Sequence, residues 1–518
     1  MLSNSNRLVF QFLNRLRATN KTMESTLYVN YVNKISTMTE LKINKVKASE
    51  NYLKAVNDLN NLQCNQVLNR NEKLDGKGLL LMKQLLYRTG VTDDDMSRMN
   101  VVHITGTKGK GSTSALVEGI LLQNNVKTGF FNSPHLVEVR ERIRIDGKPI
   151  SKLLFSKYYW EVKYALEITK SKYSIQMPSY FYLLTTLAYY IFKKEAVDAA
   201  IFEVGIGGAF DSTNVIKKPT VCGIATLDID HVSMLGDTIE KIAWQKAGIM
   251  KPGVRTFTIP QSVGGMNVLI QRAKELGSIL SIAAPLENYL SPTEIKLSMA
   301  GNHQKLNGSL AVALSREWLS KCRGVKFSDS KLDQRILKGL SLGKLNGRSH
   351  IVKYSNRLKF YLDGAHTEQS IKCAAQWFKE ESGNDLSVRG KKVLKLMVFN
   401  LTHNRSSYNM LKSLIGCNFD RAYFSPNIAS ISKAHVADQN DFSNSYTSQL
   451  EMVKKNFCNW KLIAPNNVLK KSRSFSCVNH TLDEIHMLSN DNYVQVFVIG
   501  SFHLVGAFLS IIHPDLNE

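Results

Sequence analysis

The chain has 518 residues, 43% of them hydrophobic and 21% charged, the make-up of a globular protein of two to four domains, which excludes collagen-like, mucin-like and wholly disordered chains. Lysine and arginine total 67 against 43 acids, a formal net charge of +24. That excess points to a polyanionic partner: nucleic acid, an anionic membrane, or a small polyphosphate or polycarboxylate.

The first 47 residues hold eight basic and two acidic side chains. Arg7, Arg15, Arg17 and Lys21 precede the first acid, Glu24, and Leu8, Val9, Phe12, Leu13 and Leu16 share one face at helical spacing. A basic amphipathic helix of this kind marks a mitochondrial presequence; the alternative is a disordered basic tail. Met23 and Met38 offer starts for a shorter cytosolic form, so the expected locations are mitochondria (matrix or inner-membrane-associated) and cytoplasm. Seven widely spaced cysteines without a CxxC pair indicate neither a zinc site nor a disulfide framework.

From about residue 48, short apolar runs alternate with amphipathic helices, as βαβ units require. NVVHITG (100–106) reads as a buried strand entering a glycine-rich turn, and STSALVEGILLQ (112–123) as a helix starting at Ser112 or Thr113. AAIFEVGIGG (199–208) and TVCGIATLDIDH (220–231) read as two more strands with polar ends, the second closing on Asp230 and His231. A second alternating region runs through KFYLDGAH (359–366), KVLKLMVFN (392–400) and VQVFVIG (494–500). Residues 324–350 lack strong periodicity and read as the linker, and the polar stretch 428–480 reads as including a long surface loop. The apolar run 494–512 is broken at Gly500-Ser501, so strand then helix is preferred to a membrane span. The expected fold is α/β: a P-loop-type nucleotide-binding domain with a parallel-rich sheet, and a smaller Rossmann-like C-terminal domain. The boundaries are a leader at 1–42, a central domain at 43–335, a linker at 336–350 and the C-terminal domain at 351–518.

HITGTKGKGST (103–113) carries the strongest local chemistry. Gly106, Gly109 and Gly111 let backbone N–H groups close around a phosphate, the helix start favours its charge, and Lys110 reaches the outer phosphates. Only Thr107 and Lys108 separate Gly106 from Gly109, a shorter spacing than the standard P-loop. Taken alone, the segment is also compatible with a tight turn whose lysines face solvent. Glu203 closes a buried strand and His231 the next, and ligands of open α/β sheets sit beyond such carboxyl ends. A lone Glu or His there is more often a structural hydrogen-bonder; beside a phosphate loop, magnesium ligation becomes the better reading.

GTKGKGS (106–112), SPHLVEVRERI (133–143), EVGIGGAFDSTN (203–214), DHVSMLGDT (230–238), AWQKAGI (243–249), HQKLN (303–307) and LDGAHT (362–367) occur in this order. Together they resemble the folylpolyglutamate synthases, a family of ATP-dependent amide ligases related to the muramyl-peptide ligases. The resemblance covers residue 50 to the C-terminus, apart from 428–480. It implies ATP-binding by Gly106, Thr107, Lys108, Gly109, Lys110, Gly111, Ser112, Gln304, Asn307, Arg348 and Asp363, and magnesium ligation by Ser133, Glu203 and His231. Lys110, Lys246 and His366 take catalytic places, Lys246 matching a lysine that is carbamylated in relatives; read alone, it is a surface lysine on a helix. Asp211, Asn214 and Arg405 fall on the substrate side, Arg405 as the cation for an incoming glutamate. The chain departs from the family at Leu345-Asn346, where relatives carry Trp-Pro, and at Asn404-Arg405-Ser406, which lacks two flanking acids. The implied cofactors are ATP and Mg2+, with a monovalent cation such as K+ alongside. The implied partners are a reduced folate, L-glutamate and ATP, on a monomer with no nucleic acid and no membrane span. Rival readings are dihydrofolate synthase or a bifunctional enzyme, a basic nucleic-acid-binding ATPase, and a folate-binding pseudoenzyme.

Overall fold

The computed structural model describes residues 48–62, 76–170 and 178–514, apart from 292, 300, 386–391, 402–405, 432–437 and 439–444. The leader helix and Arg405 lie outside the described residues, as do parts of the 428–480 loop. The description below concerns the unit from Ala55 onward.

Eight strands build the first sheet: β1 (Val102–Thr105), β2 (Thr128–Phe131), β3 (Ile143–Ile145), β4 (Lys148–Pro149), β5 (Ala199–Glu203), β6 (Val221–Ile224), β7 (Arg255–Thr258) and β8 (Ile279–Ile282), in the order β4-β3-β2-β5-β1-β6-β7-β8. The run from β2 to β8 is parallel, and β3 and β4 add an antiparallel edge. Strand alternation sorts the side chains. Val102, Ile104, Ala199 and Ile201 enter a core with Ile120, Leu310 and Trp318, whereas Phe202 stacks on Tyr189 at 4.2 Å on the other face. Burial on both faces explains why these strands read as continuous apolar runs.

Six strands form the second sheet: β9 (His350–Lys353), β10 (Leu358–Asp363), β11 (Val393–Phe399), β12 (Arg421–Phe424), β13 (Arg473–Ser474) and β14 (Tyr493–Ile499), ordered β13-β12-β11-β14-β10-β9 with only β9 antiparallel. Tyr361, Phe399 and Phe497 pack on one face, and Phe360, Val398 and Val496 on the other. The run 494–512 is strand then helix as expected. Among the described residues no helix is long and apolar enough to cross a membrane, and six cysteines are free.

The helices that matter below are α1 (Lys110–Gln123), α2 (Ile239–Ala247), α3 (His303–Arg323), α4 (Gln334–Leu342), α5 (Glu368–Gly383), α6 (Tyr446–Lys461) and α7 (Phe502–Ile512). The first residues of the expected linker, 336–350, belong to α4, which packs on α1, and the stretch 428–480, expected to include a long surface loop, also holds the 16-residue α6. One expectation needs correction: the strand expected over 220–231 ends at Ile224, and His231 instead precedes a four-residue helix, with φ 51°.

α4 turns Ile336, Leu337 and Leu340 inward at helical spacing, and glycines set how closely it meets α1. A Cβ on Gly339 would lie 2.4 Å from Ile120 Cα, and one on Gly119 would lie 2.6 Å from the Gly339 carbonyl oxygen. Gly119→Ala must push the two helices apart, at a cost of about 1–3 kcal/mol. Thermal unfolding is expected to show a lowered Tm; an unchanged Tm would mean that α4 is not held by this contact.

Candidate active site

β1 ends at Thr105, and the chain turns through Gly106 and Gly109, whose φ angles of 155° and 83° suit glycine. Gly109 caps α1; a Cβ there would stand 2.2 Å from Asn307 Oδ1 on α3. α1 therefore starts at Lys110, ahead of the expected Ser112. The N–H groups of Thr107 and Lys108 both donate to the Thr226 carbonyl, at 2.8 and 3.2 Å. Those two amides shape the loop, while the first-turn amides of Lys110, Gly111 and Ser112 need partners from outside the helix.

The Lys108 ammonium pairs with Asp228 Oδ2 at 2.5 Å and donates to Gln369 Oε1 on α5 at 3.4 Å. Asp228 also donates its N–H to Thr107 Oγ1 at 3.0 Å and accepts from that hydroxyl on its carbonyl at 2.8 Å. This grip on two loop residues was missed because LDID was read as strand.

Two lysines converge on the Gly106 carbonyl: Lys110 Nζ donates at 3.0 Å and Lys246 Nζ at 2.9 Å. Lys246 is only 3% exposed, which overturns the surface-lysine reading. Burial first, then the Lys110 charge, brings its pKa down to about 7, against the pull of Asp230 and Asp211. Glu203, at the end of β5, is 5% exposed. Burial pushes its carboxyl up to about 7, although Lys110, the Ser133 N–H, Arg348 and Arg142 all favour the charged form. The Ser133 N–H donates to Glu203 Oε2 at 3.3 Å. A Cβ on Gly111 would stand 3.3 Å from that same oxygen and 3.0 Å from Leu345, so the third loop glycine relieves crowding around the carboxylate. His231 is exposed beyond β6, next to Asp230. Among the described residues no group of three His, Cys, Asp or Glu side chains could hold a metal.

Gln304 and Asn307 are buried on the first turns of α3, Asn307 Nδ2 donating to Gln304 Oε1 at 2.9 Å. Arg348 lies over the Phe502 ring at 5.0 Å, and its charge acts on Glu203 and Asp363. Asp363, at the end of β10, accepts from the Ser349 and Ala365 N–H groups at 2.8 and 2.9 Å. His366 Nδ1 lies 2.9 Å from the Gly364 carbonyl. Asp211 accepts from Ile206 N–H at 3.1 Å and Thr213 Oγ1 at 2.6 Å. Asn214 Nδ2 donates to the carbonyls of Ala209 and Gly248, both at 3.0 Å. These last two side chains brace the glycine-rich loop after β5 and the end of α2, which carries Lys246.

The Glu203 carboxyl titrates above its ordinary value, so its ionised form weakens the fold progressively from about pH 4.5 to 7 and fully above that. Glu203→Gln is therefore expected to stabilise the protein, free of nucleotide and metal, by on the order of 3 kcal/mol at pH 8. Near pH 4 the gain should vanish. Urea unfolding of both proteins across this range checks it; a Gln variant no more stable than wild type at pH 8 would refute the burial argument.

No family model matches the chain. The mitochondrial folylpolyglutamate synthase of Homo sapiens is 36% identical to it, over 91% of this chain and 93% of its own length. The folylpolyglutamate synthase of Arabidopsis thaliana is 36% identical, over 81% of each. Among solved structures, the Thermotoga maritima folylpolyglutamate synthase superposes with a TM-score of 0.63 at 25% identity, covering 85% of this chain and 94% of that one. The Mycobacterium tuberculosis enzyme complexed with ADP and AMPPCP gives 0.65 at 23% identity, covering 88% and 98%; it supports the fold. With the phosphate loop, the buried Glu203 and Lys246 and the two-sheet architecture in place, the chain belongs to the folylpolyglutamate synthase family.

Proposed function

We propose that the chain joins L-glutamate to the terminal γ-carboxyl of a reduced folate, with ATP driving the step through an acyl phosphate. The observation that carries this reading is the convergence of Lys110, Lys246 and Glu203 around the Gly106–Ser112 loop. The folate γ-carboxylate attacks the γ-phosphorus of ATP and ADP departs. The amine of glutamate then attacks the acyl carbon, phosphate leaves, and the amine proton passes to solvent. Phosphoryl transfer of this kind is mostly positioning and electrostatics. The α1 amides and the Lys110 ammonium hold the phosphates, Gln304 and Asn307 take the adenine side, and Arg348, Asp363 and His366 approach from the second sheet.

A buried carboxylate, a hydroxyl and an imidazole (Glu203, Ser133, His231) suit magnesium when phosphate oxygens and water complete the shell. When bound, magnesium neutralises phosphate charge. Lys246, with a pKa near 7, keeps a substantial neutral amine fraction at physiological pH, the form that adds CO2. The resulting carbamate places a negative oxygen beside the loop. A monovalent cation such as K+ belongs to the same reading. So do a central domain and a C-terminal domain divided near 336–350, a monomeric state, and mitochondrial and cytoplasmic forms.

Activity against magnesium concentration tests the metal assignment. Glu203→Gln removes the one formal charge among the three ligands and should raise the magnesium requirement at least tenfold or stop turnover. His231→Ala should act in the same direction and Ser133→Ala more weakly. Unchanged magnesium dependence in Glu203→Gln would place the metal elsewhere.

A further inference from the structure

The central strand β1 carries two fully buried polar side chains, His103 and Thr105, on the face opposite Val102 and Ile104, which enter the core. We propose that both are positioning residues: they hold the loop after β5 and, through it, keep Lys246 against the phosphate loop. The inference rests on the ligase reading and deepens it, since it assigns what sets the aim of Lys246.

A parallel strand covered on both faces is normally apolar throughout, and a polar group is buried at low cost only where it is hydrogen-bonded. Two such groups on β1 need a reason, and they share one. Residues two apart on a strand share a face, so His103 and Thr105 look the same way. Thr105 Oγ1 donates to the Gly207 carbonyl at 2.7 Å. His103 Nε2 lies 2.9 Å from Thr213 Oγ1. The strand that feeds the phosphate loop thus grips the loop after β5 near its beginning and near its end.

The protons available give the second contact a direction. Asp211 accepts from the Ile206 N–H on Oδ2 at 3.1 Å and from the Thr213 N–H on Oδ1 at 3.0 Å. The Thr213 hydroxyl donates its single proton to that same Oδ1 at 2.6 Å. It has only lone pairs left, so His103 Nε2 carries the ring proton and donates to it. Burial first, then the charge of Lys251, brings the His103 pKa down to about 3. The imidazole is therefore neutral near pH 7, and the chain from His103 through Thr213 to Asp211 runs one way.

The loop passes its position on to α2. The Ala209 N–H donates to the Gln245 carbonyl at 2.8 Å, and Asn214 Nδ2 to the Gly248 carbonyl at 3.0 Å. A Cβ on Gly208 would stand 3.0 Å from the Lys246 carbonyl oxygen, so loop and helix end are in close contact. From there Lys246 Nζ reaches back to the Gly106 carbonyl at 2.9 Å, one residue beyond Thr105. The contacts close a ring from β1 to the loop, to α2, to the phosphate loop. Releasing either grip on β1 opens that ring, and a displacement of about 1 Å at a reacting group costs on the order of a hundredfold in rate.

The test joins two measurements on the full chain: steady-state kinetics with tetrahydrofolate, MgATP and glutamate, and mass-spectrometric acylation of Lys246 by acetic anhydride. Thr105→Val keeps the shape and loses the hydroxyl. It should lower kcat about tenfold or more, with all three KM values within about twofold. Lys246, 3% exposed in the wild type, should be acylated several-fold faster in this variant. Thr105→Ser restores the hydroxyl and should recover most of both losses. His103→Gln sets an amide N–H near the place of Nε2 and should stay close to wild type, whereas His103→Asn is too short to reach Thr213 and should behave as Thr105→Val does. Unchanged kcat in Thr105→Val and His103→Asn, a loss carried by KM alone, or Ser and Gln variants no better than Val and Asn would overturn the positioning role. No glutamate-dependent ADP formation by the wild-type chain would overturn the ligase reading instead, and Lys246 acylation would still decide whether β1 holds that side chain.

Discussion

Two ionisable side chains, Glu203 and Lys246, are held almost wholly out of water beside Lys110, and burial draws both toward their neutral forms near pH 7. Much of the surrounding structure follows from keeping them there. The Gly106 carbonyl must face both lysines, which fixes the loop. Gly111 leaves room beside the carboxylate, since a Cβ there would crowd both Leu345 and Glu203. Asp211 closes the loop after β5 on itself, and Asn214 ties that loop to Gly248 at the end of α2, which holds Lys246 at depth. Groups poised between charge states answer sharply to nearby charge, which suits a nucleotide site.

The second sheet reaches this cluster through few contacts, each with a physical reason. Gly506 allows close approach to the segment after β2, where a Cβ would collide with the Leu136 carbonyl oxygen, and Gly364 seats Phe502 within the second layer. The segment after Ser133 thus rests against α7. Arg348 lies over Phe502, and Lys108 reaches Gln369 from the phosphate loop. Residues of both layers therefore meet beside the Gly106–Ser112 loop. An arrangement that brings two polypeptide layers over a reactive acyl phosphate also limits its hydrolysis.

Much of this was legible in the sequence. Glycine spacing after a buried strand marked the phosphate loop, because only backbone freedom at those positions lets it form. Glu203 at a strand end was equally readable. The depth of Lys246 was not, since one turn of an amphipathic helix does not reveal what packs over its cationic face. α4 was legible too, in Ile336, Leu337 and Leu340 at helical spacing behind an Asp333 N-cap, but a glycine- and lysine-rich segment read whole as linker hides it. β6 was overextended because LDID keeps strand-like alternation after the ladder has ended; Asp228, clamping the loop, went unread for the same reason. Arg405 lies outside the described residues, so its place at the glutamate remains the reading implied by the family motif.

The most direct measurement of the central claim is product analysis. The chain is incubated with tetrahydrofolate, labelled glutamate and MgATP, and products are sized by mass spectrometry alongside ADP and phosphate. The account predicts folates extended by successive γ-linked glutamates, with one ADP and one phosphate per residue added. ATP hydrolysis without label entering a folate, or label entering only when dihydropteroate replaces the folate, would contradict it.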